Sequence, residues 1–180
     1  MEKTCQVEVN VQDSRIDELH PQSESITLWE KWFECWITDL KSQLPAANTY
    51  ELSLRLTNDA EMRIFNHQYR EQDKPTDVLA FAALEADFPM NEEMRSQMPL
   101  YLGDIVISVD TANRQATEHG HPLLTELAWL ATHGLLHLLG WDHPDETSLL
   151  HMLERQAVLL QLIGLTINGE YNYFNLLESE

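Results

Sequence analysis

The residues able to do chemistry in this chain are concentrated in one stretch, Thr132-His133-Gly134-Leu135-Leu136-His137-Leu138-Leu139-Gly140-Trp141-Asp142-His143. Residues four apart on an α-helix share a face and sit about 6 Å apart along the axis, so His133 and His137 can aim their imidazoles at one point. Gly140 can take the left-handed conformation that most residues avoid, which turns the chain and returns His143 to that point. Three neutral imidazoles then occupy three corners of a tetrahedron and leave the fourth for water, the layout of a catalytic rather than a structural zinc site. Imidazole suits nickel and copper as well, so zinc, at one ion per chain, is favoured on abundance and geometry alone. A lone histidine on an apolar helix reads as a core residue. Three at ligand spacing, with glycine at the turn, read as a metal centre.

The same spacing occurs in metzincin proteases, whose HExxHxxGxxH motif carries a glutamate directly after the first histidine as general base. Here that position is Gly134. Glycine cannot take a proton, so a zinc peptidase built on this stretch would lack the group that activates its water.

A helix must present these residues, and the hydrophobic pattern supplies both it and its supports. Pro122 opens a helix whose apolar positions run to Leu139 and stop at Gly140. A last helix is expected from Asp145 or Glu146 to Ile163, ending at Gly164, and a shorter one from Thr111 to Glu118, closed by Gly120. Upstream, Ile26 to Leu40 has apolar residues at helical spacing, and Asn58 caps a helix through Met62, Phe65 and Tyr69. Strands are predicted over Val7–Val11, Tyr50–Leu56, Val78–Phe81 and Tyr101–Val109. The acidic, methionine-bearing segment Leu84 to Pro99 reads as a loop or insertion, and Leu165 to Glu180 as a tail with Tyr171, Tyr173 and Phe174 clustered in it.

With 180 residues, 43% of them hydrophobic, the chain suits one folded domain, here residues 1–164 followed by the 165–180 tail, and the alternation of strands and helices makes it α+β. Cys5 and Cys35 form no close-spaced pair, so no disulfide framework or disulfide-linked partner is expected, and Cys35 reads as a buried thiol on an apolar helix. The N-terminus lacks an apolar signal region and no apolar run is long enough to span a bilayer, which makes the cytoplasm the default compartment and excludes a membrane partner. His20, His67, His119, His121 and His151 lack ligand spacing and are expected in solvent.

With glycine at position 134, the stretch resembles the YbeY family, whose pattern His-Gly-x-Leu-His-Leu-x-Gly-x-Asp-His is matched at every fixed position from His133 to His143. Two further blocks are similar to that family's: Tyr69-Arg70 followed by Pro75-Thr76-Asp77-Val78-Leu79-Ala80-Phe81, and Leu102-Gly103-Asp104-Ile105-Val106-Ile107-Ser108. Ala80 and Ala82 stand where the family has serine and proline, which removes any hydroxyl role at position 80. The resemblance spans roughly Val7 to Ile163. It implies a single domain with a mixed four-stranded sheet, about five to six helices and the zinc site on a helix in the C-terminal half.

The function implied is that of a single-strand-specific, zinc-dependent endoribonuclease in 16S ribosomal-RNA 3′-end maturation and ribosome quality control, with ribosomal RNA and small-subunit or assembly proteins as partners. It makes His133, His137 and His143 the ligands, and Arg70, His133 and His137 the catalytic set. Arg70 has a planar charged fork suited to a phosphate oxygen gaining charge, although an arbitrary arginine there would serve the helix dipole. Asp142 either orients a ligand imidazole or caps the following turn. Asp104, with Asp77 and Thr76, matches family positions near strand ends, where binding and plain structural roles are equally open. The sequence also leaves open whether an activated water attacks phosphorus or the ribose 2′-hydroxyl is deprotonated. Two rival functions remain: a zinc hydrolase on a non-RNA substrate, and a ribosome-assembly factor whose zinc is mainly structural.

The net charge of −19, from 11 basic and 30 acidic residues, opposes a polyphosphate over most of the surface. Binding to naked single-stranded RNA is therefore expected to be weak and to fall as salt rises, because a few local cations act against the field of the whole protein. Titration of a labelled oligonucleotide at several salt concentrations measures this, and tight, salt-insensitive binding would contradict it.

Overall fold

The structure, a computed structural model, describes residues 5–14, 22–84, 93 and 97–167. The 168–180 part of the expected tail, with its aromatic cluster, most of the 84–99 segment and His20 lie outside the described residues. In chain order the elements are β1 (Gln6–Asp13), α1 (Gln22–Leu40), a 3-10 turn (Lys41–Gln43), β2 (Thr49–Thr57), α2 (Asp59–Arg70), β3 (Val78–Ala82), β4 (Leu100–Ser108), α3 (Val109–His119), α4 (Leu123–Leu138) and α5 (Glu146–Leu162). The sheet has the order β1-β2-β4-β3, with β1, β2 and β4 parallel and β3 antiparallel to β4. This is the α+β domain with a mixed four-stranded sheet that the sequence implies, and five α-helices are described.

Burial explains the order. β2 alternates, with Tyr50, Leu52, Leu54 and Leu56 inside, as a strand covered mainly on one face does. β4 is buried almost continuously from Leu102 to Ser108 because helices cover both of its faces. On one side Ile105 meets α4, and on the other Val106 packs with Met62 of α2 and Leu79 of β3. Val109, expected as the last strand residue, is the first helical one, because the Ser108 hydroxyl accepts from the Thr111 N–H and caps α3 there. Asn58 caps α2 as expected, accepting from the Glu61 N–H.

Helix α4 is the core of the molecule rather than a surface element. Nearly every residue from Thr125 to Leu138 is buried, as a helix apolar on all sides must be. It is enclosed by β3, β4, α3 and α5. On the same side of the sheet as α4, α1 contributes Trp29, Trp32, Phe33 and Trp36 at helical spacing, with edge-to-face contacts at 5.1 Å and 5.0 Å between ring centroids. The Trp36 indole donates to the Leu159 carbonyl at 2.9 Å, tying α1 to α5. Cys35 flanks this apolar stripe and is only half-buried, contrary to expectation; Cys5 is the buried thiol, and both are free. Among the described residues no helix is long and apolar enough to cross a membrane.

Helix and sheet lie in close contact at Gly134. A β-carbon added there would lie 2.8 Å from Ile105 Cγ2 and 3.2 Å from Ile105 Cγ1, inside contact distance of a buried, β-branched side chain. Gly134→Ala should therefore lower unfolding stability by about 1–3 kcal/mol in urea titration, even though alanine favours a helix interior by about 1 kcal/mol over glycine. Ile105→Ala in the same chain should recover part of that loss, a non-additivity expected only of side chains in contact. An alanine variant as stable as the wild type would disprove the clash.

Candidate metal centre

The C-terminal end of α4 builds the centre as its local sequence requires. The Gly140 N–H donates to the His137 carbonyl and the Trp141 N–H to the Leu136 carbonyl, both at 3.0 Å, a turn that needs the left-handed residue supplied by Gly140 at φ 92°. The Asp142 carboxylate then accepts from the His143 N–H at 2.8 Å. The reversed chain brings the His143 ring to 5.5 Å and 5.3 Å, between centroids, from the rings of His133 and His137.

His133 Nε2 and His137 Nε2 stand 3.0 Å apart, and one ligand nitrogen from each of the three histidines falls within 4.8 Å of the others. Nitrogens around a tetrahedral zinc, bonded at about 2.0–2.1 Å, sit about 3.3 Å from one another. The donor set therefore suits a late first-row divalent ion, around which the three imidazole nitrogens would close to that spacing. His133 and His143 are buried and His137 is half-buried, which leaves the His137 side open to a substrate.

Gln156, a residue not identified from the sequence, holds the first of these ligands. It is fully buried on α5, its amide N–H donates to the Trp129 carbonyl at 3.3 Å, and its Oε1 lies 3.0 Å from His133 Nδ1. Because the amide nitrogen faces Trp129, the oxygen faces the imidazole, so Nδ1 carries the proton and Nε2 is left to bind metal. The available signal was a polar residue on the apolar face that α5 shares with Leu149, Met152, Leu159 and Leu160.

An open cleft of about 300 Å³ runs past His137 and Gly134, with Arg70, Ala80 and Asp142 also in its walls. Arg70 ends α2, and Glu71 follows it in the left-handed conformation at φ 57°. The buried Asn66 amide, donating to the Lys74 carbonyl at 2.8 Å, pins the loop that follows. Asp142 lines the cleft, and its carboxylate accepts from the N–H of the next residue, His143. Asp104 is not brought to the histidines: it precedes Ile105 on β4, so it faces the opposite side of the sheet, where the Tyr101 hydroxyl donates to it at 2.7 Å. Burial, and then the Asp104 carboxylate, push the Tyr101 phenol up to about 12 against the opposing Ser53 hydrogen bond.

Asp77 is buried just before β3, accepting from the Val78 N–H at 2.7 Å and the Gln115 amide at 3.2 Å. Burial pushes its carboxyl up from the ordinary aspartate range, opposed by the hydrogen bonds it accepts from Gln115 and the Val78 N–H. Thr76 is buried beside it. Of the histidines expected in solvent, His67 and His151 are exposed, but His119 and His121 are enclosed around Glu126. Burial lifts the Glu126 carboxyl to about 7. The spacing rule missed this group because its members belong to two different helices and the turn between them.

A model of the YbeY family, described as endoribonuclease YbeY, matches residues 12–164. A Trichormus variabilis protein named endoribonuclease YbeY is 56% identical over 176 residues, covering 92% of this chain and 99% of that protein. One of the same name from Nostoc sp. is 54% identical over 175 residues, covering 92% and 95%. The solution structure of TM1509 from Thermotoga maritima shares the fold, with a TM-score of 0.53 at 24% identity over 86% of this chain and 88% of that one.

Gln156→Leu should weaken zinc affinity roughly 10–100-fold, the usual cost of removing the group that orients a ligand imidazole. Competition with a chromophoric chelator measures this, and unchanged affinity in a folded variant would remove Gln156 from the site.

Proposed function

The chain belongs to the YbeY family of endoribonucleases, and we propose that it is a single-strand-specific, zinc-dependent endoribonuclease acting in the cytoplasm on the 3′ end of 16S ribosomal RNA and in ribosome quality control. The observation that carries this reading is the shared cleft: Arg70 and His137 line the same open groove from different elements. His133, His137 and His143 would hold one zinc ion, which supplies Lewis acidity to water and to a phosphoryl oxygen.

The chain's own residues do the rest. Gln156 keeps the proton on His133 Nδ1, so the opposite nitrogen always points inward. Arg70, the last residue of α2, has a planar fork whose parallel N–H donors match the two non-bridging oxygens of a phosphate. Gly134 leaves the cleft floor low and without a carboxylate, so no protein base stands where a metallopeptidase keeps one. The acidic surface, at −19 overall, directs the encounter toward a basic small-subunit ribosomal or assembly protein that presents the RNA.

Arg70→Ala should retain zinc and thermal midpoint while cleavage of single-stranded RNA falls by about a hundredfold, the scale of losing one preorganised electrostatic donor. Arg70→Lys should recover only part of the rate, because a point charge lacks the fork. Wild-type rates in Arg70→Ala, with zinc content verified, would leave the assembly role as the reading of this site.

A further inference from the structure

A second set of ligating side chains lies outside the cleft, where the end of α3 meets the first turn of α4. His119 Nδ1 is 3.4 Å from Glu126 Oε2, and His121 Nε2 lies within hydrogen-bonding distance of the same oxygen. One donor atom from each of the three residues falls within 4.8 Å of the others. The side chains of His119, His121 and Glu126 are 7%, 5% and 0% exposed, so solvent contributes little to the group.

The local backbone explains why these residues converge. Gly120 takes the left-handed conformation at φ 71°, with its N–H donating to the Thr117 carbonyl at 3.3 Å and the His121 N–H to the Ala116 carbonyl at 3.1 Å. This is the same hydrogen-bonded turn that Gly140 makes at the other end of α4. It places a histidine on each side of the glycine, and Glu126 rises from the next helix to meet both. Glu126 precedes His133 by seven residues, which puts the two groups about 10 Å apart along one face of α4.

A hydrogen-bonded His–Glu–His cluster accounts for only part of what is there. Among the described residues Glu126 Oε1 is buried with no hydrogen-bond partner, and a buried carboxylate oxygen left unpaired costs about 1–3 kcal/mol. A cation at the focus of the group would neutralise the carboxylate and engage the donors together. Two imidazoles with one carboxylate suit zinc and its first-row neighbours, whereas magnesium and calcium require oxygen-rich sets.

We propose that His119, His121 and Glu126 form a second divalent-metal site that takes zinc or a neighbouring first-row ion and clamps the α3–α4 corner. The site owes nothing to the RNA-cleaving reading of the first centre. Its ligands come from the last residue of α3, the turn and the first turn of α4, so a bound ion links the two helices through side chains. That helix corner should consequently resist opening more when metal is present.

Equilibrium dialysis of the full-length protein, stripped with chelator and returned to micromolar Zn2+, tests the proposal by metal count. Wild type should take two equivalents, and Glu126→Gln, which keeps the shape but loses the charge, should take one. The combined variant His133→Ala, His137→Ala, His143→Ala should keep one equivalent and give a Co2+ visible spectrum from the remaining site. That spectrum should vanish when Glu126→Gln is added. The wild-type protein against Glu126→Gln decides the matter even if the triple variant does not fold. Saturation of wild type at one equivalent that Glu126→Gln leaves untouched, or two equivalents in both proteins, would overturn the site.

Discussion

Everything at the centre of this molecule depends on how closely α4 lies against β4. The helix is buried on all sides, so its distance from the sheet is set by the smallest side chain on the contact face, and at position 134 that side chain is a hydrogen atom. Ile105 fills the space a β-carbon would need. The same glycine leaves the neighbouring cleft without the carboxylate that a metallopeptidase places there. Packing and chemistry thus make one demand of one residue. The absence of a general base follows from the geometry of the core as much as from the reaction.

Placing histidines in such a core carries a cost that the fold answers with polar partners. His133 is satisfied through Gln156, which is in turn held by the Trp129 carbonyl, so one buried polar chain runs from α5 to Nδ1 of His133, the ring nitrogen turned away from the other two histidines. Asp77 is similarly enclosed and is served by Gln115 and the Val78 N–H. Both ends of α4 use a left-handed glycine to bring histidines back toward the helix, Gly120 before it and Gly140 after it. The helix therefore carries a cluster of convergent histidines at each end.

The acidic balance shapes the surface in a way consistent with a protein whose substrate contacts are few and local. Arg55 is paired with Glu61, Arg63 with Asp73, Arg114 with Asp59 and Arg155 with Asp39, so these four cations are partly neutralised where they stand. Such pairs are worth little to stability when exposed. Their larger effect is to reduce the positive potential available to a polyanion.

Much of this could be read before any coordinates existed. The strands and helices followed from periodicity, the cap at Asn58 from residue type, and the convergence of His133, His137 and His143 from their spacing around Gly140, because each is a local relation along the chain. Arg70 was legible only through its motif, since nothing in its own neighbourhood says which cleft it faces. Tertiary structure alone decided the rest. It put Gln156 behind His133 across 23 residues, turned Asp104 to the opposite face of the sheet through the alternation of β4, and gathered His119 and His121 around a buried Glu126. These are contacts between elements, governed by which faces pack together and how closely, and spacing along one helix carries no information about them.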